Sequence, residues 1–380
     1  MKLTNEMKDY LKESREDTLL LIRELCAIPA PSNMEEKRAE YCKKWFLENG
    51  AENVEIDQAL NVICSYGVTD DNDITVFMAH TDTVFPDTAP LPFKEEDGKY
   101  FSPGVCDDTA NLAVLMICAR YFLKKKQPAR HGLVFVANSG EEGLGNLKGS
   151  RAICARYGNR LKELITIDGI SLDKIVTRAV GSHRYRVSLK TEGGHSFANF
   201  GNRNAIHALS SMISTLYTIK VPKEDDSITT YNVGAISGGT SVNTIAENAE
   251  MLYEYRSNNK NCLEKMKKAF FSVIEAYRAM GISVDVELIG ERPCASEIDK
   301  ERYEDLISRA SESILRTIGR EALYRSGSTD CNIPLSLGIP SICISGCSGG
   351  RCHTRDEFLI VESLQLGTLL FMDFLSYYFI

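Results

Sequence analysis

The chain has 380 residues, 43% of them apolar, and a formal net charge of −8. That length suits two domains with substantial cores rather than one, and the acidic balance, with no Lys/Arg stripe interleaved with aromatics, excludes a nucleic-acid partner. No stretch reaches the roughly 18 uninterrupted apolar residues of a membrane span, and the opening Met1-Lys2-Leu3-Thr4-Asn5-Glu6 lacks a signal peptide's apolar core, so no membrane partner and a cytoplasmic location are expected.

Leu19, Leu20, Ile22 and Leu25 recur at helical spacing across residues 15–28, and Pro29 and Pro31 end that helix. Ser32 followed by Glu35 forms a capping-box pattern for a second helix that Gly50 closes. Residues 62–66 and 74–79 read as strands, the second a run of six apolar or β-branched residues fit for burial on both faces. A helix is predicted over 107–126, a strand over 132–137, a helix over 147–157 and a strand over 164–167. Strands alternating with helices predict an α/β domain whose mixed, mostly parallel sheet carries helices on both faces.

From Gly181 the pattern changes. A strand over 183–190, a helix over 204–219, strands over 229–236 and 249–256, a helix over 261–280 and a strand over 282–289 give the order β-α-β-β-α-β. That is a ferredoxin-like domain, read here as an insertion over 181–291 between α/β segments 1–180 and 292–380. The α/β pattern resumes with a helix over 298–318, strands over 322–324 and 341–345, and a last helix over 364–378. Twelve cysteines without a Cys-x-x-Cys pair point to reduced, buried thiols.

The strand over 74–79 runs out into His80-Thr81-Asp82. Ligands of open α/β sheets collect where strands end, and a residue two places from a ligating histidine can reach the second ring nitrogen. His80 therefore reads as a metal ligand and Asp82 as its orienter. Asp107-Asp108 at a helix start, Glu141-Glu142, Asp168 and His353 stand at other strand ends. So many carboxylates at one edge need neutralising, and a nitrogen-and-oxygen set suits Zn²⁺, Co²⁺ or Mn²⁺. Two such ions would share a carboxylate to lie about 3.5–4 Å apart.

Taken singly, these groups have plainer readings: Asp168 before Gly169 as a turn, Glu141-Glu142 before Gly143 as a solvated loop, His195 as packing. His131, His183 and His207 are given structural roles, His183 on a half-exposed strand. Gly346-Cys347-Ser348-Gly349-Gly350 satisfies the G-x-S-x-G elbow of serine hydrolases, but no histidine lies beyond position 353 to complete it.

Taken together, His80-Thr81-Asp82, Asp107-Asp108, Glu141-Glu142, Ile167-Asp168-Gly169, Gly193-Gly194-His195-Ser196 and His353-Thr354 resemble, in order and across nearly the whole chain, the M20 family of di-metal aminoacyl hydrolases. That family includes peptidase T-like tripeptidases, carboxypeptidase G2-like enzymes and N-acyl amino-acid deacylases. The resemblance implies that His80 and Asp168 bind one metal, Glu142 and His353 the other, and Asp107 bridges both. Glu141 becomes the general base, taking a proton from activated water and delivering it to the leaving amine. It implies too that His195, usually from the opposite subunit of a homodimer built through the insertion, stabilises the oxyanion. Asn243 and Arg256 would hold the substrate's carbonyl or carboxylate, and Gly327, Ser328 and Thr329 would contact substrate. Two departures stand out: Thr109 replaces the usual basic residue after the aspartate pair, and Ser102-Pro103-Gly104-Val105-Cys106 replaces the arginine-glycine turn. His80-Thr81-Asp82-Thr83-Val84 looks closest to peptidase T-like members, so two divalent ions, Zn²⁺ first, and a short peptide are expected. The alternatives are an N-acyl amino-acid deacylase or carboxypeptidase of the same fold, and, remotely, a non-catalytic binding dimer.

Overall fold

A computed structural model describes residues 3–380 of the chain. They divide into two units, one of residues up to Ala179 with Ser296–Ile380, the other of Val180–Ala295.

The first unit is built on an eight-stranded sheet in the order Asn53–Ile56, Val62–Tyr66, Gly132–Asn138, Ile74–His80, Leu161–Ile167, Ser341–Ile344, Lys174–Ala179, Leu323–Gly327. Its middle is parallel: Gly132–Asn138, Ile74–His80, Leu161–Ile167 and Ser341–Ile344 run the same way. Every residue of Ile74–His80 is buried, because alternate side chains enter two different cores. Phe77 and Ala79 pack with the helices Arg15–Cys26, Asn111–Lys125 and Ser363–Leu375, whereas Val76 and Met78 pack with Ile153 and Tyr157 of Lys148–Tyr157. Helices cover both faces, as the sequence pattern requires. In Asn111–Lys125 every residue from Asn111 to Leu123 is buried, which explains why its apolar residues run without a polar stripe.

Three expectations change. The helix expected from Asp107 is regular only from Asn111; Val105–Ala110 before it forms an irregular helical turn with non-helical backbone at Asp107 and Asp108, whose peptide is cis. The Ser32/Glu35 capping box does not form. Ser32 Oγ donates to Asp82 Oδ2 at 2.6 Å and the buried Glu35 pairs with Lys148 at 3.0 Å, so Glu36–Glu48 starts with no side-chain cap. A helix Asn5–Glu13, capped by Thr4, precedes the first expected one; Met7, Tyr10 and Leu11 recur on its core-facing side at helical spacing, a signal the sequence carried. A second small sheet, in the order Gly349–Gly350, Phe358–Ile360, Lys99–Phe101, Lys94–Glu96, ties the segment leading to Asp107 to the segment around His353.

The second unit is an antiparallel sheet ordered Thr229–Gly238, Asn248–Ser257, Gly181–Lys190, Ser283–Arg292, with helices Ala205–Leu216 and Lys260–Ala279. Asn204 and Asn259 cap these helices through their side-chain oxygens. Tyr185, Val187, Met251, Tyr253, Met212 and Phe270 form its core. His183 belongs to that interior: it is 3% exposed, with Nδ1 2.7 Å from the Tyr255 hydroxyl. All twelve cysteines are free and all but Cys352 are buried. Among the described residues no helix is long and apolar enough to cross a membrane.

Candidate metal centre

The parallel strands Ile74–His80, Gly132–Asn138, Leu161–Ile167 and Ser341–Ile344 deliver His80, the Glu141-Glu142 turn, Asp168 and the loop to His353 at their carboxyl ends, the edge where such sheets bind ligands. Four carboxylates, Asp107, Glu141, Glu142 and Asp168, and two imidazoles converge there, and Glu141 groups with His80 and Glu142. His80, Asp107 and Asp168 each offer an atom within 4.8 Å of the others, and so do Asp107, Glu142 and His353. Asp107 is common to both groups. His80 Nε2 lies 3.1 Å from Asp107 Oδ1, while His353 Nε2 lies 3.1 Å from Asp107 Oδ2 and 3.0 Å from Glu142 Oε1. Each oxygen of Asp107 thus faces a different histidine.

Several buried groups fix this arrangement. His80 Nδ1 is 3.0 Å from the Asp82 carbonyl oxygen and 3.4 Å from the Asp82 carboxylate, so the expected orientation of His80 by Asp82 runs chiefly through the backbone. The Asp82 carboxylate accepts instead from the amides of Glu141 at 3.0 Å and Glu142 at 2.9 Å, holding the glutamate turn against the strand end. Asp108 accepts from the His80 amide at 3.0 Å and from Asn111 Nδ2 at 2.7 Å.

Three supporting residues were not evident from sequence. Glu357, 1% exposed, accepts from the amides of Gly104, Cys106 and Asp107 at 3.0, 2.7 and 3.0 Å. Arg38 is buried and donates to the carbonyls of Leu25, Ile28 and Thr81, bracing the turn between His80 and Asp82. It also lies 3.4 Å from Thr109 Oγ1, a buried cation beside the residue that replaces the usual basic one. Asp330 is buried and accepts from Asn138 Nδ2 at 2.6 Å. Arg38 was the readable one: with Ala39, Cys42 and Phe46 it falls on the buried face of Glu36–Glu48, where an arginine needs a reason.

The electrostatics call for positive charge. Loss of hydration, then the charge of Asp107, pushes Asp168 up to about 7. Burial, with Asp107 and Glu141 adding to it, pushes Glu142 up to about 7 despite His353. His353 is raised to about 10 by Asp107 and Glu142. Glu142 Oε1 is buried without a hydrogen-bond partner among the described residues, although His353 Nε2 is close. A histidine and a carboxylate 3.0 Å apart, in a site short of cations, fit ligands aimed at a common divalent ion.

The remaining candidates stand on other elements. Thr329 is buried beyond the strand Leu323–Gly327, and its amide donates to Asn332 Oδ1 at 3.0 Å; Gly327 and Ser328 precede it and are part-exposed. In the second unit, His195 and Asn243 lie together at the small ribbon Gly194–His195 with Thr244–Ile245, where the Ser196 amide donates to the Asn243 carbonyl at 3.0 Å. His195 Nδ1 faces the amides of Phe197 and Ala198 at 3.2 and 3.3 Å, which places its proton on Nε2 and leaves that nitrogen as a donor. Gly194 is required for the turn: at φ +130° a Cβ would stand 2.9 Å from the Asn199 side chain. Arg256 is not part of this group. It forks onto Glu254 at 2.9 and 3.0 Å, eight residues beyond Asn248 on one strand, about 26 Å at about 3.3 Å per residue. Ser348 leads into the strand Gly349–Gly350 and not a helix, so no nucleophile elbow forms.

A family profile described as "Peptidase family M20/M25/M40" matches residues 76–377. The chain is 26% identical over 362 residues to the uncharacterized protein YqjE of Bacillus subtilis, covering 90% of this chain and 92% of that protein. To a succinyl-diaminopimelate desuccinylase of Corynebacterium glutamicum it is 24% identical over 368 residues, 95% of this chain and 96% of the relative. A tripeptidase structure from Staphylococcus aureus shares its fold with a TM-score of 0.78 at 22% identity, over 96% of this chain and 98% of that one.

Proposed function

The chain belongs to peptidase family M20/M25/M40 and is a metal-dependent amide hydrolase, and from that premise we propose that it cleaves an amide bond in a short peptide at a centre of two divalent ions. The observation that carries the reading is the shared carboxylate: Asp107 belongs to two ligand groups, one with His80 and Asp168, the other with Glu142 and His353. In this reading those five residues hold the ions, Zn²⁺ first and Co²⁺ or Mn²⁺ as alternatives. Bound ions would polarise the scissile carbonyl and lower the pKa of water.

The chain's own residues do the rest. Glu141, buried beside the ligands, takes the proton from the attacking water and returns it to the leaving amine. Asp82 fixes both ends of that exchange, because it touches His80 and holds the Glu141 amide. His195, with its proton on Nε2, is assigned to the oxyanion. Asn243, on the same ribbon, and Gly327, Ser328 and Thr329 are assigned to substrate. Arg256 could hold a substrate carboxylate only by releasing Glu254. A homodimer through Val180–Ala295 belongs to the same reading, supported by the edge strand Thr229–Gly238 with Ile236 exposed.

An N-acyl amino acid is the second substrate reading, supported by the desuccinylase likeness over nearly the whole chain. The test is hydrolysis of di- and tripeptides and N-acyl amino acids by stripped protein and by protein reloaded with Zn²⁺, Co²⁺ or Mn²⁺. Activity that is lost on chelation and returns with metal, highest on short peptides, is expected. Metal-loaded protein that cuts none of them would favour the non-catalytic reading.

A further inference from the structure

Beside Asp168, within the first unit, lies a cavity of about 190 Å³. That is below the roughly 300–1,000 Å³ of a pocket for a whole small ligand, so it has room for one arm of a substrate. Its wall includes Asp168 and Thr329, the apolar Ile170 and Val176, and two cations, Lys174 and Arg325. Neither cation has a carboxylate partner among the described residues. Lys174 Nζ donates to Ser171 Oγ at 3.1 Å and Arg325 Nη1 to the adjacent Tyr324 carbonyl at 3.0 Å. Thr329 Oγ1 accepts from the Cys331 amide at 3.2 Å, and its own proton can turn toward the cavity.

Two exposed cations without a carboxylate partner among the described residues thus border one small cavity. They sit beside a proposed metal ligand, where a substrate held for cleavage must extend. A carboxylate is the group that an ammonium, a guanidinium and a hydroxyl can bind together. We propose that this cavity receives a carboxylate-bearing arm of the substrate, held by Lys174, Arg325 and Thr329. The substrate class is then narrowed to peptides or acyl amino acids with an acidic side chain or acyl group on that side of the cut bond. The inference rests on the centre proposed above. Asp168 shares the wall and would repel the arm while its own charge is uncompensated, so occupancy goes with a loaded centre.

The test uses metal-loaded protein and glutarate as the probe. Calorimetry should show binding that weakens at least tenfold, about 1.4 kcal/mol, in Lys174→Met and in Arg325→Met and that Lys174→Arg restores. In parallel, selectivity for glutamate over glutamine in otherwise identical dipeptides, or for succinyl over an uncharged acyl group, should fall about tenfold in the two methionine variants. Glutarate that does not bind, or binds equally to the methionine variants, overturns the inference. If amides are cut but acidic and neutral substrates are handled alike, this inference fails and the hydrolase reading stands. If glutarate binds in a Lys174-dependent way but no amide is cut, the hydrolase reading fails and the anion pocket stands.

Discussion

Replacing Glu357 with glutamine tests whether Asp107 is positioned from a distance of 250 residues along the chain. Glu357 Oε1 accepts from the Cys106 and Asp107 amides, and Oε2 from that of Gly104. In Glu357→Gln the oxygen can keep two of these bonds, but the amide nitrogen confronts the Gly104 N–H. One buried donor then loses its acceptor, at about 1–3 kcal/mol. Burial pushes Glu357 up to about 7 against the pull of these amides, so at pH 8, where it is charged, the two bonds that remain lose the charge that makes such bonds roughly twice as strong as neutral ones. Together these give a loss of about 2–4 kcal/mol, or about 4–16 °C in Tm at about 2–4 °C per kcal/mol for a domain near this size. Because the same three amides shape the loop that carries Asp107, metal affinity should fall with stability. Differential scanning calorimetry of stripped and loaded protein, with chelator competition for the metal, measures both. A variant that melts within about 2 °C of the parent and holds its ions as tightly would refute the reasoning.

Glu141→Ala should lower kcat by about 100-fold or more while metal analysis finds the ions still bound; loss of an ion with the activity would mean that base and ligand are exchanged. For His195→Ala, kcat should fall about 100- to 1,000-fold at unchanged metal content, and an unchanged rate would remove His195 from the reaction. Acid should weaken the second unit through His183, whose burial holds its imidazole below the ordinary value against the pull of Glu291. The unfolded chain then binds the proton first, so the contribution is present above pH about 6.5 and is lost as pH falls below it. Urea melts at pH 7.5 and 5.5 should show that loss, and it should shrink in His183→Gln.

His80 and Asp168 were legible because each ends an apolar strand, a signal carried by its immediate neighbours. The same held for the order of elements in Val180–Ala295, where alternation and helical period change sharply at the junctions. The loop of Asp107 was less legible. It is docked by strands of two or three residues, Lys99–Phe101, Gly349–Gly350 and Phe358–Ile360, too short for any pattern, and by a glutamate far away in sequence. The capping box failed because a local motif lost to tertiary partners: Ser32 serves Asp82 and Glu35 serves Lys148. His183 was misplaced because strand alternation does not say how deeply a sheet is covered.

The central claim is that five side chains hold two ions through one shared carboxylate. Anomalous diffraction from crystals loaded with Zn²⁺ tests it most directly. Two peaks about 3.5–4 Å apart are predicted, one against His80 and Asp168, the other against Glu142 and His353, with Asp107 touching both. A single peak, or two peaks that do not share Asp107, would contradict the account.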